Sequence, residues 1–208
     1  MRPDEARTPT RTRVVLDDVA IRRALMRIAH EIVETGDEVS DLYLVAIPNG
    51  GVPLGRALVE NLAQVAEVEL DMGILDTTLY RDDLTTRGMR PRLRDTMMPS
   101  TVDDRVVILI EDVVNTGRTI RAAMDALMDF GRPRAVRVVA LVDRGHRELP
   151  IKIDYVGKNI PTQPGDKVRF RVDEGEAGDE SQAKPRLEVV IETFPQAADG
   201  EHVQEGAR

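Results

Sequence analysis

The run Val106-Val107-Ile108-Leu109-Ile110 narrows the folds open to this chain more than any other feature. A strand apolar at every position must be covered on both faces, as in a parallel sheet flanked by helices. Glu111 and Asp112 follow at once, and then Asn115-Thr116-Gly117-Arg118-Thr119. In such sheets ligands bind beyond the carboxyl ends of the strands. The spacing predicts a turn over 113–117 that opens a helix, whose unpaired N–H groups suit a phosphate. Thr116 and Thr119 add hydroxyls, and Gly117 lets the backbone come close to a ligand. Two carboxylates would repel that phosphate, so they are expected to face vicinal sugar hydroxyls or Mg²⁺. The local reading is a ribose phosphate. An acid serving only as a helix cap is the plainer alternative. A Walker-type nucleotide site is another, but neither G-x-x-x-x-G-K-[ST] nor G-x-G-x-x-G occurs.

Alternating elements surround this strand. Apolar residues at 21, 25, 28, 29 and 32 predict a helix over 19–33, with an acidic cap before it and Gly36 after it. Leu42–Ile47 reads as a buried strand ending in the turn Pro48-Asn49-Gly50-Gly51, with a helix over Gly55–Ala66. Strands are expected within 68–79, 135–142, 155–156, 168–172 and 187–193, and a helix over 118–130. Residues 1–13 read as a flexible arm, 14–194 as one domain and 195–208 as a disordered tail. The polar segment 81–104, rich in arginine, has no periodicity, and loops of that length in compact domains usually carry function. The fold class is α/β.

Composition removes several functions. The absence of Cys excludes disulfide scaffolds and a thiol nucleophile. No apolar run reaches membrane-spanning length, and MRPDEARTPTRTR has no apolar stretch behind its basic residues, so a cytoplasmic protein is expected. A net charge of -8 argues against a surface that coats nucleic acid generally. Yet residues 132–158 carry seven Lys/Arg against three acids, a local basic face able to bind a polyanion.

The apolar strand, the acid pair and Thr116-Gly117-Arg118-Thr119 resemble the PRPP-binding signature of type I phosphoribosyltransferases. Three further blocks, Ala20–Ile32, Asp76–Leu84 and Leu141–Thr162, resemble the PyrR family, the bifunctional pyrimidine operon regulators with uracil phosphoribosyltransferase activity. The resemblance covers roughly residues 14–175. It implies a type I phosphoribosyltransferase fold, with a mainly parallel sheet flanked by helices and a small hood over the base. It implies transfer of phosphoribose from PRPP to uracil, giving UMP and pyrophosphate, with Mg²⁺. The PRPP-binding stretch would be Val107-Ile108-Leu109-Ile110-Glu111-Asp112-Val113-Val114-Asn115-Thr116-Gly117-Arg118-Thr119. Glu111 and Asp112 would hold the ribose hydroxyls, and Arg81, on a lid over 81–95, the pyrophosphate side. No protein ligand to the metal is implied, except Asp112 as one option. Asn49, Gly50 and Gly51 occupy the pyrophosphate loop, where the family usually has Thr-Arg-Gly, and Asn115 stands where it usually has Tyr.

Arg144 and Val168 are the expected base contacts, from the position of the hood. The second implied activity is binding of an mRNA leader of pyrimidine genes, tightened by uridine nucleotides. The matching positions are Arg27, His30, His146, Arg147, Lys152, Lys158 and Thr162. Met26 and Thr35 stand where relatives often have Thr and Arg. Homodimers or higher assemblies are implied. Two alternatives remain open: an RNA-binding, nucleotide-sensing regulator with little catalysis, and a phosphoribosyltransferase for a purine base.

Overall fold

The computed structural model describes residues 8–48, 50–80, 96–163, 165–173 and 185–194. Five parallel strands form the main sheet in the order β3-β2-β4-β5-β6. They are β2 (Leu42–Ala46), β3 (Met72–Ile74), β4 (Val106–Val114), β5 (Ala135–Asp143) and β6 (Tyr155–Asn159). The central strand β4 lies between β2 and β5, in register from Leu42↔Val106 and from Val106↔Ala135. Its alternation divides the core in two. Ile108 and Ile110 join Leu44 and the apolar stripes of α1 (Asp18–Glu34) and α2 (Gly51–Ala66). Val107 and Leu109 join Tyr43, Val45 and the stripe Ile120, Ala123, Ala126, Leu127 of α3 (Arg118–Leu127).

Each helix has a local cause. Asp17 caps α1 by accepting from Ala20 N at 2.8 Å, and Ile21, Leu25, Ile28, Ala29 and Ile32 form its buried face. Gly36 follows with φ 82°, a left-handed stop. The helix expected over 55–66 begins earlier, at Gly51. A Cβ at Gly51 would lie 2.5 Å from the Ile110 carbonyl oxygen, so the close seat of α2 on β4 requires glycine there. In the region 68–79 only Met72–Ile74 is a strand, and Thr78–Tyr80 is a single 3₁₀ turn.

A second sheet forms the hood. Its antiparallel strands run in the order β1 (Arg11–Leu16), β8 (Arg186–Thr193), β7 (Lys167–Asp173). Leu187, Val189 and Ile191 of β8 are buried in the same core as α1, with Val168 and Phe170 packed beside them. The flexible arm expected through residue 13 is therefore corrected, because Arg11, Thr12 and Arg13 pair with Thr193, Glu192 and Ile191. The backbone ladder holds them, although their side chains are exposed. Residues 1–7 and the expected tail, 195–208, lie outside the described residues.

Candidate active site

β4 extends four residues past its apolar run, so Glu111 and Asp112 belong to the strand and not to the turn after it. Adjacent residues of a strand face opposite sides. Glu111 lines a cavity of about 280 Å³ with Val113, Val114, the loop 115–117, the start of α3 and Glu148. Asp112 turns instead toward Gly50. A Cβ placed on Gly50 would lie 2.2 Å from its Oδ2 and 2.4 Å from its Cβ. Its Oδ1 accepts from Val113 N at 2.8 Å. Burial pushes the Asp112 carboxyl above its ordinary value, against the pull of the Val113 N–H and its own. In this conformation Glu111 faces the cavity and Asp112 faces Gly50.

Three successive carbonyls define the loop. Val114 O accepts from Arg144 N at 3.0 Å, and Thr116 O from Glu148 N at 3.0 Å and Leu149 N at 3.3 Å. Asn115 O accepts from Arg147 Nη1 at 2.7 Å. A trans peptide points its N–H opposite to its C=O. The carbonyls are turned back onto residues 144–149, so the N–H groups of Asn115, Thr116 and Gly117 turn the other way, toward the cavity. Such a concavity of amides, continued by the first turn of α3, has the form that suits an anion. Gly117, at φ 91°, makes the left-handed step into the helix, and its missing Cβ would sit 3.1 Å from Ile151. The buried Asn115 Oδ1 has no hydrogen-bond partner. Flipping that amide would offer a donor there instead. Arg118 pairs with Glu148 at 2.8 Å at the cavity's rim.

Val107, Ile108, Leu109 and Ile110 were expected within the PRPP-binding stretch. All four side chains are completely buried and hold the strand in the core. Arg147 was expected on an RNA face. In this structure its guanidinium braces the loop, donating to Ile151 O at 3.1 Å, Asn115 O at 2.7 Å and Asp143 Oδ2 at 2.8 Å. Thr162, another such position, accepts from Arg144 Nε at 3.0 Å and contacts His146 Nε2 at 3.2 Å, bracing this loop. Arg144, expected at the base, also donates to Asp166 O at 3.0 Å and so links β5 to the hood. Val168, the other expected base contact, stands on the hood's inner face opposite Ile191. His30, His146, Lys152 and Lys158 are exposed. Arg27 is exposed too, and donates to Val156 O at 2.8 Å and Gly157 O at 3.0 Å. Asn49, Arg81 and the expected lid over 81–95 lie outside the described residues.

Residues 13–175 match the phosphoribosyl transferase domain family. Proteins called bifunctional protein PyrR are similar over most of their length. That of Pelotomaculum thermopropionicum is 49% identical over 160 residues, 77% of this chain and 88% of its own. That of Bacillus cereus is 49% identical over 168 residues, 80% of this chain and 93% of its own. The chain belongs to the PyrR family. Solved structures place the PyrR fold among type I phosphoribosyltransferases. The hypoxanthine phosphoribosyltransferase of Trypanosoma cruzi superposes with a TM-score of 0.61 at 21% identity, over 88% of this chain and 97% of that one. A Staphylococcus aureus hypoxanthine phosphoribosyltransferase gives 0.60 at 21% identity, over 88% and 93%. At that distance the likeness concerns the fold. The PyrR relatives carry the family assignment.

Proposed function

We propose that this protein transfers phosphoribose from PRPP to uracil, giving UMP and pyrophosphate, and that it also binds an mRNA leader of pyrimidine genes in response to uridine nucleotides. The observation that carries the first half is the loop whose three carbonyls turn outward onto residues 144–149, leaving its amides for a 5′-phosphate. Glu111 faces the same cavity and accepts from ribose hydroxyls. As the bond from the anomeric carbon to pyrophosphate breaks, a bond to the uracil nitrogen forms and that nitrogen loses its proton. The charges that develop are met by fixed dipoles and acids in place before the reaction. Among the described residues no three His, Cys, Asp or Glu groups converge on a metal site. Mg²⁺ is usually held by substrate phosphates, waters and at most one or two carboxylates. When bound it neutralises charge on the departing pyrophosphate. Glu111 or Asp112 would supply any protein contact to it.

For RNA, the exposed His30, His146, Lys152 and Lys158, with Arg27, remain contact positions. Arg147 acts on them indirectly, through the loop. We place the protein in the cytoplasm as a homodimer or larger assembly. Among the described residues no helix is long and apolar enough to cross a membrane.

One observation favours the regulator with weak catalysis as a second reading. Position 50 is glycine, so it brings no guanidinium to a pyrophosphate, and Asp112 packs against it. The deciding assay is UMP formation from uracil and PRPP with Mg²⁺, for the wild type, Glu111→Gln and Asp112→Asn. The enzyme reading expects wild-type turnover and a fall of about 100-fold in Glu111→Gln. A wild type that binds UMP but never makes it would leave the regulator. Turnover with hypoxanthine or guanine and none with uracil would sink both.

A further inference from the structure

We propose that the hood carries a second anion site, for a ligand bearing two or more phosphoryl groups, in the cavity beside Arg11 and Arg13. This cavity, of about 470 Å³, is large enough for a nucleotide-sized ligand. It shares no lining residue with the cavity at the phosphate loop. Arg11 stands opposite Thr193 and Arg13 opposite Ile191, so both project from one face of β1, roughly 7 Å apart along the strand. Neither guanidinium has a hydrogen bond or ion pair among the described residues, whereas Arg169 and Arg171 of the same sheet are both held by Glu192.

The one carboxylate in the wall is already engaged. Asp166 Oδ2 accepts from Gln163 N at 3.0 Å, and Oδ1 from Thr193 Oγ1 at 2.9 Å. It braces the loop and leaves a net local charge of one positive unit, counting two arginines against one acid. Two planar forks on one face, free to turn toward the cavity, suit adjacent phosphoryl groups. Ile191 and Pro161 give an apolar patch where a nucleoside could rest.

Pro161, Thr162 and Gln163 stand between the two sites. The Thr162 side chain meets Arg144 and His146, while its neighbours Pro161 and Gln163 line the hood cavity. Arg144 in turn bonds Val114 O at the start of the phosphate loop. Occupancy of the hood site is therefore two contacts from the proposed active site.

The test is calorimetric titration of the full chain with tripolyphosphate, and separately with a nucleoside triphosphate. The wild type is expected to show two classes of site. Arg11→Gln/Arg13→Gln should lose one, or weaken it at least tenfold, and Gly117→Val should lose the other. Arg13→Lys, which keeps the charge but not the fork, should weaken the hood site less than Arg13→Gln. Tighter binding of the nucleoside triphosphate at the site that survives in Gly117→Val would mean that the apolar patch takes the nucleoside, and equal binding that the phosphates alone are held. Unchanged titrations in a double variant that melts like the wild type would overturn the inference. So would a double variant that loses only leader-RNA affinity. The inference does not depend on turnover: a chain that makes no UMP but loses one site in the double variant keeps it.

Discussion

The main sheet and the hood both use alternating apolar strands, but they treat charge in opposite ways. In β4 the first six residues are buried, and the carboxylates beyond the apolar run point toward the loops where a ligand would sit. In the hood one face packs Leu187, Val189 and Ile191 into the core, and the other carries a ladder in which Arg169 and Arg171 grip Glu192 at 2.7 Å each. Arg171 also reaches Glu188 at 3.3 Å. The hood spends these charges on itself, whereas Arg11 and Arg13 have no such partner among the described residues. The main sheet instead places Glu111 against the cavity beside the loop 115–117, and Asp112 against Gly50.

The sharpest way to break the comparison is a pair of glycines with nearly equal backbones. Gly117 has φ 91° and Gly165, in the loop before β7, has φ 92°. A Cβ on Gly117 meets Ile151 at 3.1 Å, while one on Gly165 meets nothing within 4 Å. Gly117→Val is expected to lower kcat/KM for PRPP about 100-fold, because the amides of its loop are the proposed phosphate donors. Gly165→Ala should cost about 1 kcal/mol of backbone strain and leave turnover within a few-fold. Equal losses of turnover would mean that the hood loop is as much a part of the active site as the phosphate loop.

Next in size is packing. Ile108→Ala hollows a fully buried position in the central strand and should cost about 2–5 kcal/mol in urea unfolding. Val168→Ala removes a partly buried side chain of the hood and should cost under about 1.5 kcal/mol. Similar costs would show that hood and sheet share one core more fully than the burial suggests. Arg147→Ala lies between these two. It strips the loop of its guanidinium strut and is expected to cost about 1–3 kcal/mol. It should raise KM for PRPP more than it lowers kcat, and Arg147→Lys should restore little. A variant with normal kinetics that has lost only RNA affinity would return Arg147 to the RNA face.

How far the sequence carries this comparison depends on the region. The unbroken run at 106–110 and the helical spacing at 21–32 announce β4 and α1, because burial on a regular element leaves a period. β1 leaves none. Arg11-Thr12-Arg13 look like a basic arm, and their partner, β8, lies some 180 residues away. Edge pairing is made by backbone groups, which every residue has. Of the site, the turn was legible as an anion cradle. The divergence of Glu111 and Asp112 was also available from the period of a strand, once β4 is known to continue through them. Arg147 escaped because an arginine in a polar run reads as solvated. The signal for it was physical: carbonyls turned away from a phosphate need donors behind them.

The smallest effects are electrostatic, and they differ in sign. Asp112 has its pKa raised by burial, so the native state holds that proton more tightly than the unfolded chain. Its ionisation then costs stability as pH rises from the ordinary aspartate range through the raised native value. Asp112→Asn removes that cost. The variant should melt above the wild type at neutral pH, and the gap should close in acid. Glu192 is the reverse case. Burial pushes it up, but the Arg169 and Arg171 guanidiniums outweigh burial and hold it below its ordinary value. Its contribution is present above the ordinary glutamate range and is lost as pH falls through the lowered native value. Glu192→Gln should melt below the wild type at neutral pH, with the gap closing as pH falls. The two arginine side chains are 49% and 45% exposed, so water screens the ladder, and about 1 kcal/mol or less is expected. For a domain of this size that is about 2–4 °C. Melting curves of the three proteins from pH 4 to 8 read both signs in one experiment. If both variants shifted the same way at neutral pH, the contrast between a charge kept for a ligand and a charge spent on the fold would fail.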